Sequence, residues 1–239
     1  MLAVTREGPV AVLTLQRPEK RNALDLELCR QLYVAVDEQV EAGARVLVLT
    51  GEGTAFCAGA DLDGVHGDEF LHALYGMLHH LAAVEIPVIA AVNGPAIGAG
   101  TQLALACDLR VVDERARFAV PTALNGMAVD AWTIRTLEKL AGTGRARRMM
   151  LAAATIDRDE ALVCGLADRP GTFADALAWA QEIAAMAPMT LAYNKLVLNG
   201  TADDEPAVEA AFASVWRSDD VQEASRARAE KRQPVFEGR

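Results

Sequence analysis

The chain has 239 residues, 52% of them hydrophobic and 23% charged, enough for a sizeable core arranged as one or two domains. A formal net charge of −10 argues against a nucleic-acid partner, because a duplex demands a positive face. No apolar run reaches the roughly 18 residues of a membrane helix, and Met1 to Val12 lacks a basic stretch followed by an apolar block. Neither a membrane span nor a signal peptide is therefore expected. Cys29, Cys57, Cys107 and Cys164 are widely spaced, with no CxxC pair and no metal-site spacing. The expectation is reduced, mostly buried thiols in the cytoplasm, and no metal.

Val10 to Leu15 alternates, is rich in β-branched residues and stops at Gln16-Arg17-Pro18, as a strand with a hard end does. Asp25 opens an amphipathic run, with Leu28, Leu32, Val36 and Val40 recurring along one face and Gly43 closing it, which predicts a capped helix. Arg45 to Thr50 and Ile86 to Val92 are apolar on both faces, the pattern of strands covered on both sides. Leu109 to Val112 repeats it after a short helical segment. Alternating strands and helices predict an α/β domain with parallel strands. From Asp130 onward the pattern is helical, over 131–140, 145–153, 159–164, 174–187, 190–198, 205–217 and 221–231. A boundary near Ala187-Pro188 divides a core, residues 1–187, from a helical C-terminal segment, 188–239.

Two glycine-rich segments each follow a buried strand: Gly51 to Leu62 (GEGTAFCAGADL) and Asn93 to Leu103 (NGPAIGAGTQL). Small residues there let another group approach the backbone, and a helix N-terminus offers unpaired N–H donors to a negative centre. Either segment alone is equally well read as a tight turn. Neither is a GxxxxGK[ST] phosphate loop or a GxGxxG dinucleotide loop.

Taken together with RPEKRNAL at 17–24, CDLRVV at 107–112 and the ending KRQPVFEGR, FCAGADL at 56–62 and NGPAIGAG at 93–100 resemble the crotonase (enoyl-CoA hydratase/isomerase) family along nearly the whole chain. The resemblance implies a spiral of ββα turns followed by helices that assemble trimers or hexamers. It also implies an acyl-CoA ligand, no further cofactor, and a role in fatty-acid metabolism with synthesis or oxidation enzymes as possible partners. The thioester carbonyl would be held in an oxyanion hole by the backbone N–H groups of Ala60 and Ala99. Fixed donors and the positive end of a helix suit the charge of an enolate oxygen, and a backbone donor tolerates alanine. Coenzyme A would lie along Arg17 to Leu24 and Ala58 to Asp61, touching Lys20, Arg21, Ala23, Ala58, Gly59 and Asp61, with Lys231 or Arg232 reaching its phosphates. The basic residues are equally consistent with ordinary solvated surface.

The family's hydratases carry two glutamates that this chain lacks. Gln102 and Thr122 stand at those positions. An amide or a hydroxyl cannot exchange a proton usefully near neutrality, and each lost acid/base group costs about 10²- to 10⁴-fold in rate. Asp130 is the remaining candidate carboxylate, since some relatives use an aspartate at this offset; it equally suits an N-cap for the helix beginning at Ala131. Trp132 is placed to line an acyl pocket. His66, His72, His79 and His80 read first as polar helix surface, in a stretch from which some relatives of the family recruit a residue, and Leu71, Leu74, Leu78 and Leu81 as core or acyl cover. Three functions remain open: an isomerase or lyase using Asp130, a non-catalytic acyl-CoA binding or transfer protein, and a slow hydratase.

Overall fold

The computed structural model describes residues 1–61, 67–200 and 205–239. The strands β1 (Leu2–Glu7) and β2 (Val10–Leu15) form an antiparallel hairpin that turns at Gly8, φ +62°. Beside β2 run β3 (Val46–Gly51), β4 (Val88–Val92), β6 (Leu109–Val112) and the short β9 (Arg169–Pro170), each parallel to its neighbour. A smaller sheet joins β5 (Pro95–Ile97), β7 (Arg117–Ala119) and β8 (Ile156–Asp157). Isolated bridges between Leu24 and Ala60, and between Cys57 and Ala96, extend that pairing toward the N-terminus.

Each pass of the chain therefore contributes to the large sheet, then to the small one, then to a helix. After Leu24 comes α1 (Leu26–Glu41), and after Ala60 comes α2 (Asp68–Ala83). After β5 comes α3 (Ala99–Ala106), and after β7 comes α4 (Ala131–Ala141). This is the ββα spiral that the resemblance implies. The remaining helices are α5 (Thr143–Ala152), α6 (Arg158–Cys164), α7 (Phe173–Ala184), α8 (Pro188–Asn199), α9 (Glu205–Arg217) and α10 (Asp219–Glu230).

Every residue of β3 is buried because helices cover both faces of the sheet. Leu47 and Leu49 join a core with Leu28, Leu32, Leu74 and Leu78; Val46 and Val48 face the other way, onto Ala176, Ala180 and Ile183 of α7. Each such fully buried aliphatic side chain stabilises by roughly 1.5–3 kcal/mol, so the two-sided apolar runs hold the spiral flat against α7. The helix expected from Asp25 is α1, with the Asp25 carboxylate accepting from Leu28 N–H at 2.8 Å. The tract after Asp130 is helical as expected, but β8 and β9 interrupt it with two residues each, too few to show alternation.

The C-terminal helices are tied to the core through Lys195 of α8, only 6% exposed. Its Nζ donates to Asp108 Oδ2 (2.7 Å), Ile86 O (3.0 Å) and Leu81 O (3.2 Å). Among the described residues no helix is long and apolar enough to cross a membrane, and no cluster of three potential metal ligands occurs.

Candidate functional site

The two glycine-rich segments meet edge to edge. Cys57 N–H donates to Pro95 O at 3.2 Å, and Ile97 N–H donates to Cys57 O at 3.0 Å. Missing side chains make this approach possible. A Cβ on Gly100 would overlap Cys57 O, and one on Gly59 would lie 2.8 Å from Ile97 O. The same Gly59 Cβ would be 3.7 Å from the Ala99 nitrogen, which places Ala99 beside the first segment.

The opposite edge of the first segment is paired with Leu24. Leu24 N–H donates to Gly59 O and Asp61 N–H to Leu24 O, both at 2.8 Å. Residues flanking a strand position pair on one side, so the Ala60 N–H between them points to the other, the side of the second segment. Ala99 is the first residue of α3, where amides have no intrahelical partner, and its cap Gly98 supplies no side-chain bond. Among the described residues neither the Ala60 nor the Ala99 N–H has a hydrogen-bonded acceptor. Two amides on adjoining segments, one of them at the positive end of a helix, are thus left without an acceptor.

Residues 17–24 support this edge. The fully buried Asn22 sits at φ +57°; its side-chain amide donates to Glu52 O and Ala55 O, both at 2.9 Å, fixing the first glycine loop. Arg17 donates to Ala23 O at 2.6 Å and pairs with Asp61 at 2.8 Å and Asp25 at 3.1 Å. Lys20 lies 3.7 Å from Asp61, half-exposed.

A chain of side chains starts one turn inside α3. Gln102, 2% exposed, donates from Nε2 to Thr133 Oγ1 at 2.9 Å. Thr133 in turn donates its hydroxyl and, at 3.0 Å, its backbone N–H to Asp130 Oδ1, so Asp130 caps α4. Asp130 Oδ2 stands 3.0 Å from His79 Nε2, and the His79 ring meets Trp132 edge-to-face at 5.4 Å. His79 and Trp132 line a cavity of about 560 Å³ between the end of α2 and helices α8 and α9.

The family model for enoyl-CoA hydratase/isomerase matches residues 5–239. The chain belongs to the enoyl-CoA hydratase/isomerase family. It is 47% identical over 242 residues, all of both chains, to a Mycobacterium tuberculosis protein named "Probable enoyl-CoA hydratase echA6". It is 32% identical to the short-chain-enoyl-CoA hydratase of Clostridium acetobutylicum, over 95% of this chain and 94% of the relative. The crystal structure of enoyl-CoA hydratase from Bacillus anthracis superposes with a TM-score of 0.90 at 30% identity, covering 100% of this chain and 99% of the other.

Of the residues that the family resemblance marks in the sequence, this hydratase/isomerase-family chain pairs 21–24 with 58–61 and links Gln102 through Thr133 to Asp130. Residues 21–24 and 58–61 lie side by side, joined also by Ala58 N–H to Arg21 O at 2.9 Å. Arg21, at φ +52°, is exposed and Ala23 is buried. Thr122 lies half-buried in a 3-10 turn, Pro121–Asn125. Lys231 is exposed where it ends α10, and Arg232 is paired with Glu223 at 3.0 Å, both in the C-terminal segment.

The described histidines of α2 differ in their partners. His72 is exposed surface and bonds Asp68 O; His80 pairs with Asp37 at 2.8 Å; His66 lies outside the described residues. His79, by contrast, joins Asp130. Leu74, Leu78 and Leu81 are core, whereas Leu71 is exposed. The Asp130-x-x-Thr133 spacing is the one sequence signal for a cap whose hydroxyl links onward. Burial pushes the thiols of Cys29, Cys57 and Cys107 up to about 12, which leaves them protonated and unreactive near neutrality.

Proposed function

We propose that this chain binds an acyl-CoA thioester, with its carbonyl oxygen between the Ala60 and Ala99 amides, and hydrates enoyl chains poorly or not at all. The carrying observation is the state of the two acid/base positions. Gln102 is an amide, buried and committed to Thr133, and Thr122 is a hydroxyl. Hydration needs a group to activate water and a proton for the α-carbon, and neither side chain exchanges protons near neutrality. The backbone donors survive unaltered, so binding is retained where water addition is not.

Coenzyme A is assigned to the paired edges 20–23 and 58–61, where Lys20 and Arg21 stand at the surface. Self-assembly into trimers or hexamers is part of the same reading. Phe212 and Trp216 on α9 are 50% and 65% exposed with their rings in contact, an apolar pair that a neighbouring copy would cover. The setting proposed is cytoplasmic fatty-acid metabolism.

A second reading is favoured by Asp130, a carboxylate one hydrogen-bonded residue away from Gln102. On that reading the chain performs single-carboxylate chemistry such as double-bond migration. Calorimetry tests the binding reading. Hexanoyl-CoA is expected to bind with micromolar or better affinity and free hexanoate far more weakly, and crotonyl-CoA hydration is expected near background. Equal affinity for both ligands would remove the coenzyme A assignment, and vigorous hydration would remove the rest.

A further inference from the structure

We propose that His79 is the proton-transferring side chain of this site, and that Asp130 is the residue that positions it. The inference rests on the acyl-CoA binding reading above. Both Asp130 oxygens are already engaged, Oδ1 with the Thr133 N–H and hydroxyl, Oδ2 with His79 Nε2. Its position is set by the start of α4, so it serves as a fixed post against which an imidazole is held.

His79 has the complementary arrangement. Its ring is about half exposed and lines the 560 Å³ cavity, within the size range of small-molecule sites; Asp130 is not among the lining residues. Trp132 restrains the ring from the side, and the cavity continues along Ala82, Ala192, Leu196 and Val215, an apolar path suited to an acyl chain. With Nε2 turned to Asp130, Nδ1 is the ring nitrogen left to meet a ligand. A base oriented by a carboxylate that is itself fixed by a helix cap is the usual construction of an acid/base imidazole. Thr133, which holds Asp130, also accepts from Gln102 of α3, the helix that Ala99 begins, so the pair is tied through side chains to the element that carries one of the proposed thioester donors.

The step balances without any oxidant, reductant or water. On a β,γ-unsaturated acyl thioester, Nδ1 of His79 takes a proton from the α-carbon. The C–H bond breaks, an N–H bond forms, and the electron pair moves to the thioester oxygen as a dienolate held by the Ala60 and Ala99 amides. The imidazolium, whose N–H exchanges with solvent because the ring is half exposed, then delivers a proton to the γ-carbon: an N–H bond breaks, a C–H bond forms, and the α,β-unsaturated thioester results.

The test is isomerisation of trans-3-hexenoyl-CoA in D₂O, followed by absorbance and by deuterium incorporation. Wild type is expected to form the 2-enoyl product with deuterium at the exchanged carbons. His79→Gln is expected to lose at least about 10²-fold in rate, with calorimetric affinity for hexanoyl-CoA unchanged. Added imidazole is expected to restore part of the rate to His79→Ala. Asp130→Asn is expected to lower the turnover number without altering KM, the effect of a misoriented base, and to gain nothing from imidazole. A His79→Gln variant working at the wild-type rate would overturn the proposal, as would a wild type that binds hexanoyl-CoA but neither isomerises nor exchanges. A protein that binds no acyl-CoA at all would sink the binding reading as well, and so is told apart from failure of the imidazole alone.

Discussion

The two ends of the proposed site, one for the thioester and one for the acyl carbons, are built from different materials. At Ala60 and Ala99 the donors are backbone amides, placed by strand pairing and by glycines that admit the neighbouring chain. At Gln102, Thr122, Asp130 and His79 the groups are side chains. A backbone donor persists through any substitution that keeps the strand and helix in place, whereas an acid/base side chain disappears with a single change. One end of a shared scaffold can therefore keep its chemistry while the other loses or replaces it.

The largest expected effect restores the lost material. Gln102→Glu with Thr122→Glu is expected to raise crotonyl-CoA hydration by about 10²-fold or more, up to about 10⁴-fold for each group. The gain is limited by Asp130. The Gln102→Glu change would point a carboxylate oxygen at Thr133 Oγ1, whose hydroxyl already serves Asp130, so two carboxylates would share one donor inside the core. Like charges that close cannot both ionise freely, and one would hold its proton. Adding Asp130→Asn relieves the clash and is expected to raise the rate further. A double variant as inactive as wild type would show that the scaffold no longer seats water, breaking the contrast between the two ends.

The backbone end is expected to fail through packing alone. Gly100→Ala drives a methyl into Cys57 O, a backbone atom that cannot swing away. The expected loss is about 3 kcal/mol, the upper part of the range for overpacking, read from the denaturation midpoint. Gly144→Ala is the control, because a Cβ there meets nothing within 4 Å and the residue lies inside α5. It is expected to stabilise by about 0.4–1 kcal/mol. Equal stability of the two variants would mean that the close approach of residues 57 and 100 is not what holds the segments together.

Legibility in the sequence divides along the same line. The buried strands at Val10–Leu15 and Val46–Gly51 are readable because two-sided burial writes a continuous apolar run, and α1 because its caps and its stripe agree. β1 is not, because its residues are mostly exposed and carry no apolar pattern. Nor is the small sheet, because strands of two or three residues are shorter than any period. In the site, the glycine segments announce a close backbone approach, yet which amides face the gap comes only with the family resemblance. Arg17 and Asn22 stand in the sequence as part of a motif; their work as clamps depends on partners such as Asp61 and Ala55. The His79–Asp130 pair spans 51 residues, and no local spacing encodes which histidine meets that carboxylate. Its helix neighbour His80 is set toward Asp37 instead.

The change that sharpens the comparison most removes a single backbone hydrogen. Ala99→Pro deletes one of the two proposed donors and leaves every side chain of the acyl-carbon end in place. Proline fits the first position of a helix, where the missing N–H had no intrahelical partner. The residue before it also permits the change. Gly98 has φ +55° and ψ −117°, the mirror image of an extended conformation, and without a Cβ it does not collide with the proline ring. The fold is therefore expected to survive, and hexanoyl-CoA binding to weaken by about 1–3 kcal/mol, the cost of a hydrogen bond to a partly charged oxygen. Hexenoyl-CoA isomerisation should fall by more than binding does, since the dienolate oxygen carries more charge than the ground-state carbonyl. A folded variant with unchanged affinity and unchanged rate would take Ala99 out of the site. A variant losing affinity and rate by the same factor would assign its amide to holding the thioester, with no added hold on the enolate.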